Sequence, residues 1–106
     1  MAWAILFVAG VFEVVWAYAM KLSDGLTRPG PVVVTFAAMA LSVGLLALAM
    51  KSLPLGTAYM VWTGIGAVGA FVVGVVVLGE AVTTMRIVAA VLIVAGIVLM
   101  KVSTPA

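Results

Sequence analysis

Four apolar runs, separated by three short breaks, make up the whole of this chain. The first, AWAILFVAGVFEVVWAYAM, covers Ala2–Met20 and stops at Lys21. The break Leu22–Pro31 (LSDGLTRPGP) reads as a loop, because Asp-Gly and Pro-Gly-Pro are turn formers. A second run, Val32–Met50, has no charge, and the break Lys51–Gly56 (KSLPLG) is short enough to make its neighbours antiparallel. The third run, Thr57–Leu78, is again uncharged; Gly79 and Glu80 end it, and Ala81–Thr84 form the last loop. The fourth runs from Met85 to Met100 and stops at Lys101, followed by a polar tail. A helix crosses a hydrocarbon layer of about 30 Å with roughly 20 apolar residues, so the first three runs suffice and the fourth is near the short limit. The pattern predicts an all-α membrane protein, one domain over residues 1–106 with four transmembrane helices at about 2–21, 32–50, 57–78 and 85–101. The Ala17-Tyr18-Ala19 triplet resembles a signal-peptide cleavage site, but the first run is too long for an h-region and no basic segment precedes it.

Composition agrees: of 106 residues, 68% are hydrophobic and 8% charged, against about 25% charged in soluble domains. A soluble core of this size has no room for so much apolar surface. There is no cysteine, which excludes disulfides and thiolate metal sites, and no histidine, which removes the usual metal ligand and proton shuttle. No cofactor or metal is expected. The five cations are dispersed, so nothing suggests nucleic acid. With an even number of spans both termini share a side. The first and third loops carry Lys21, Arg28 and Arg86; the other side carries Lys51 and Lys101. Three against two is hardly an orientation bias, which leaves open either one weakly set orientation or insertion both ways, with oppositely inserted copies pairing. Four short helices can barely enclose a polar cavity, which adds weight to a dimer whose two copies supply the symmetry that inverted repeats give larger transporters.

Against this background Glu13 stands out. The other seven charged residues lie at or between span ends, whereas Glu13 lies well inside the first. A carboxylate at that depth costs several kcal/mol (about 2.5–3.5 on insertion scales) unless protonated, paired or hydrated, and by default marks a substrate or proton site. The alternative is a carboxylic acid hydrogen-bonded to a neighbouring helix for assembly alone. Residues three and four apart share a helix face, so Gly10, Glu13, Trp16 and Ala17 form one stripe. Gly10 and Ala17 leave room beside the carboxylate, and Trp16 offers an indole donor or an aromatic wall. A proton and a cation would compete for the one carboxylate.

The third span repeats the theme. Tyr59, Trp62 and Thr63 share a face and offer a phenol, an indole N–H and a hydroxyl; aromatic faces also attract cations. An interfacial aromatic belt is the competing explanation, and the depth of Trp62 argues against it. Trp3 and Tyr18 suit a belt better. Gly64, Gly66 and Gly69 follow, and Gly66, Ala70 and Gly74 have the small-xxx-small spacing that lets helices approach; so many glycines also suggest a bend. In the second span Ser42 is a polar group amid apolar ones, either a site residue or back-bonded to its own helix, with Met39 one turn earlier as a flexible wall. The face Ala89, Ile93 and Gly96 makes the fourth span a packing or dimerisation helix.

The runs GVFEVVWAYAMKLSDGLTR and KSLPLGTAYMVWTGIGAVGA, with the four-span length, closely resemble the small multidrug resistance family. Trp16 after the glutamate and Thr63 after Trp62 resemble its guanidinium-exporter subtype rather than the polyaromatic-cation subtype. The resemblance implies an antiparallel, dual-topology homodimer in the bacterial inner membrane that exchanges a cytoplasmic cation for external protons by alternating access. It implies Glu13 as the central carboxylate, Trp16, Ser42, Tyr59 and Trp62 as the supporting hydrogen-bond network, and Gly10 as a close-packed glycine. The span-three glycines Gly64, Gly66 and Gly69 would be a hinge, and the fourth span the dimer contact. Met60 replaces an expected alanine and is expected to narrow or reshape the site entrance, with Met39 and Thr63 as further pocket wall. Guanidinium suits the carboxylate chemically, since its planar N–H groups fork onto it as arginine's do.

The expectation is thus a proton-coupled exporter of guanidinium and small substituted guanidinium ions, not an enzyme, partnered by the lipid bilayer, protons, its small cation and a second copy. One alternative is a multidrug exporter of quaternary ammonium and aromatic cations. Another, of a different class, is a non-transporting membrane assembly or chaperone-like protein. A channel is disfavoured because no polar stripe continues through all spans.

Overall fold

The apolar runs are helices in the computed structural model, which describes residues 1–104. They are α1 (Ala2–Leu22), α2 (Pro29–Ala49), α3 (Leu55–Val76) and α4 (Thr84–Ser103), each long and apolar enough to cross a bilayer. Helix is the form such runs must take in lipid, because it satisfies the backbone within the segment.

The boundaries depart from the expected ones where proline is involved. Pro29-Gly30-Pro31, read as loop, is instead the first turn of α2. A helix's first N–H groups have no intrahelical acceptor, so the missing proline donor costs nothing there and its fixed φ favours the start. The loop shrinks to Ser23–Arg28, where Asp24, Gly25 and Leu26 all have positive φ (51°, 73° and 67°). Ser23, wholly buried, holds this turn: its Oγ donates to the Met20 carbonyl (2.6 Å) and accepts from the Leu26 N–H (3.0 Å). Likewise α3 starts at Leu55, earlier than Thr57, with Pro54 as its N-cap. It ends at Val76, two residues before Leu78. At the other extreme α4 runs past Lys101 to Ser103, so part of the expected tail is helical; Thr104 then donates back to the Met100 carbonyl (2.6 Å). The last two tail residues lie outside the described residues.

α1 is the middle of the arrangement. It packs against α2 on one side and α3 on the other, α2 touches α3 more lightly, and α4 packs mainly against α3 and reaches α1 through Lys101 on Trp3. The order across the molecule is therefore α2, α1, α3, α4. The Cα envelope measures 43 × 34 × 16 Å, a flattened slab. The buried core lies at one end of it, where Leu6, Leu46, Ala49, Leu53, Ala58 and Val61 meet. No described residue of α4 is buried.

Candidate functional site

α1 and α3 run parallel, and glycines set their spacing. The Ile65 side chain occupies the place a Cβ on Gly10 would take, with Ile65 Cγ2 only 2.5 Å from that point. Val14 does the same at Gly69, and the Glu13 carboxylate lies in the space a Cβ on Gly66 would need. Gly10 is thus a close-packed glycine, but it makes room for Ile65 and not for the carboxylate. The berth of Glu13 is on the facing helix, at Gly66, a position the sequence pattern offered for packing or hinging. Gly66 lies one turn beyond Trp62, on the stripe already singled out, which was the one available signal. α3 is one continuous helix through Gly64, Gly66 and Gly69.

Glu13 Oε1 is buried and has no hydrogen-bond partner, and the same is true of Trp16 Nε1 one turn later. Buried polar atoms are nearly always paired, so a carboxylate and an indole donor left unpaired on one face of one helix call for an explanation. Both sit well inside a membrane-length helix.

A hydrogen-bonded bridge lies one turn away. Trp62 Nε1 donates to Ser42 Oγ (2.9 Å), and Ser42 Oγ donates to the Ala9 carbonyl (2.7 Å). Ser42 is wholly buried. It bonds across helices and not back onto its own. Ala9 is four residues before Glu13, so its carbonyl is the one Glu13's own N–H reaches in the helix. The bridge therefore ties α2 and α3 to α1 at the turn that carries the carboxylate. The Tyr59 ring lies beside that of Trp62, with centroids 5.6 Å apart and planes tilted by 48°. Tyr59 itself is about half exposed (52%).

Other expected residues lie elsewhere. Met60 and Thr63 face the groove between α3 and α4, with Gly64, Ala67 and Ile93, away from the Glu13 berth. Met39 is half-buried on α2. Ile97 and Ile93 of α4 pack onto Gly64. Trp3 carries the Lys101 ammonium over its ring (4.8 Å), which joins the two chain ends on one side. Tyr18, expected in a belt, lines a cleft between α1 and α3 together with Lys21 and Glu80.

The bridge supports a prediction. Ser42→Ala leaves the Trp62 N–H without its acceptor and the Ala9 carbonyl without its side-chain donor. Its expected cost is about 1–3 kcal/mol of stability. Thermal unfolding of Ser42→Ala, Trp62→Phe and the double variant in detergent measures it. The double variant should lose less than the sum of the two, and full additivity would mean the bond is not formed.

The model of the family described as Small Multidrug Resistance protein matches residues 1–93. The chain belongs to the small multidrug resistance family. It is 56% identical over 104 residues to the guanidinium exporter of Escherichia coli K12, covering 98% of this chain and 99% of the relative. With the guanidinium exporter of Yersinia pseudotuberculosis it shares 55% over 104 residues, 98% of this chain and 100% of the relative. For that of Citrobacter freundii the identity is 51% over the same length, with 98% and 99% covered. Members of this family are multi-pass proteins of the bacterial inner membrane, and the four apolar helices agree.

Proposed function

We propose that the chain exports guanidinium, and small substituted guanidinium ions, in exchange for protons by alternating access. The observation that carries this is the Glu13 carboxylate: inside a membrane helix, half-buried against Gly66, with Oε1 buried and without a hydrogen-bond partner. Such a group takes either a proton or a cation, and the competition is the coupling. Proton binding on one side of the membrane releases the cation, and cation binding on the other displaces the proton. Guanidinium matches the berth in kind, since a planar, forked donor pairs with both carboxylate oxygens and its faces suit nearby indole and phenol rings. The guanidinium-exporter names of relatives above half identity over the full length support the substrate.

The transporting unit is an antiparallel pair of copies. A slab with the helix order α2, α1, α3, α4 has nothing to close a cavity over α1, and α4 has no buried residue of its own. A second slab laid face to face closes the cavity and covers α4. Opposite insertion of the two makes the two faces of the membrane equivalent, which the near-balanced loop charges permit. Two Glu13 carboxylates then flank one cavity and titrate as a pair.

Reconstitution into liposomes tests the function. Guanidinium under a pH gradient should give electrogenic or pH-monitored exchange, and acidifying the substrate side should raise the apparent KM for guanidinium without lowering its maximal flux. Transport of a bulky aromatic cation in preference to guanidinium would favour the multidrug reading, and no proton-coupled flux of either would sink both. Reporter fusions at the C-terminus should give signal on both sides of the membrane; signal on one side alone would rule out dual insertion.

A further inference from the structure

Glu13 is not the only carboxylate seated on a glycine of α3. Gly79, at φ 70°, turns the chain back after α3, so that the Glu80 N–H donates to the Gly74 carbonyl (2.9 Å). The Glu80 side chain then lies over Gly74, where a Cβ would be 2.5 Å from Oε1 and 3.3 Å from Oε2. Gly66 and Gly74 are eight residues apart, which is about 12 Å along a helix.

A cleft of about 320 Å³ runs from the Glu80–Gly74 level inward along α1 and α3, and stops one residue short of the Glu13–Gly66 contact on each helix. Its inner end is Val14 and Ala67, the residues directly after Glu13 and Gly66, and its outer end is Lys21, Leu78 and Glu80. Tyr18 and Phe71 stand along its walls. Because α1 and α3 are parallel, the cleft opens between two helix C-termini, each carrying roughly half a negative charge. A carboxylate is disfavoured there unless a cation joins it. Lys21, in the last turn of α1, is the only cation among the cleft's lining residues.

We propose that Glu80 is an outer binding station for the transported cation, one that catches it at the mouth of the α1–α3 cleft before it reaches Glu13. This rests on the functional reading above. The two helix ends and the Glu80 carboxylate concentrate a small planar cation at the mouth, within low-dielectric walls that focus the field. Tyr18 and Phe71 offer ring faces along the way. Lys21, in the same cleft, opposes the station by repelling the cation held there, and so shortens its stay.

The two charges make opposite predictions, which a merely structural role would not. In liposomes at low ionic strength, Glu80→Gln should raise the KM for guanidinium about 3- to 10-fold, the effect falling on KM rather than on flux at saturation. Lys21→Gln should lower KM. Both effects should shrink as salt screens the mouth. Glu80→Asp, which keeps the charge, should restore most of the loss, and gel filtration in detergent checks that each variant folds. An unchanged KM in Glu80→Gln at low salt, or an equal rise in KM in Glu80→Gln and Lys21→Gln, would overturn the station while leaving guanidinium export standing. If the wild-type chain carries no guanidinium, the functional reading fails and the station with it.

Discussion

Glu13→Gln should abolish proton-coupled guanidinium exchange, by at least 100-fold, while leaving the chain folded in the membrane. The amide fills nearly the same volume over Gly66 but carries no charge and takes up no proton at working pH. Both halves of the exchange are lost together: no anion to pair with guanidinium, and no site for the returning proton. The neutral side chain is also less costly in lipid, so stability should hold or rise. Glu13→Asp keeps a titratable carboxyl but withdraws it by one methylene from its berth, so coupling should survive at a reduced rate. Solid-supported-membrane currents under a pH gradient, beside thermal unfolding in detergent, separate activity from folding. Exchange of guanidinium for protons by Glu13→Gln would refute the mechanism, whereas a wild type without proton-coupled flux would favour a scaffold.

The second large effect is expected from a single methyl group on the facing helix. In Gly66→Ala the new Cβ falls on the Glu13 carboxylate, and the Cγ is only 2.8 Å away. The obstacle is the side chain and not backbone, so the chain still folds, but α1 and α3 must part or the carboxylate must leave its berth. Overpacking of this kind costs about 1–3 kcal/mol. Displacement of a binding group by an ångström costs about 100-fold in rate in comparable enzyme sites. Gly66→Ala should therefore lose at least ten-fold in exchange with a modest loss of stability. Gly44→Ala, on α2, is the comparison: a Cβ there meets nothing within 4 Å, and alanine favours helix over glycine by about 1 kcal/mol. Its exchange should match the wild type. Equal activity of Gly66→Ala and wild type would show that the carboxylate does not need this berth.

Both predictions bear on the same division of labour between sequence and fold. Four helices, their approximate limits and the membrane are legible from apolar run length, because in lipid nothing but a helix satisfies the backbone of such a run. The sequence errs at Pro29-Gly30-Pro31 and at Leu55, where proline begins a helix instead of ending a loop, since a helix start does not use the donor that proline lacks. Glu13 is legible from its cost alone. Trp62 and Ser42 are legible as polar groups in apolar helices, but their bond, and its anchor at the Ala9 carbonyl, involves three helices and no local pattern.

Spacing along one helix says which residues share a face and nothing about which facing helix meets it. That is why Gly10 reads as room for Glu13 when it is room for Ile65, and why Gly66 reads as packing when it is the berth. It is also why Glu80 is an ordinary loop-end charge in the sequence and a neighbour of Gly74 only once Gly79 folds it there. The sequence by itself determined a four-span helical membrane protein with one expensive carboxylate and the aromatics to go with it. Only the tertiary structure decided where that carboxylate rests, because helix register and side-by-side order are set by how glycines and bulky side chains interlock between chain segments far apart in sequence.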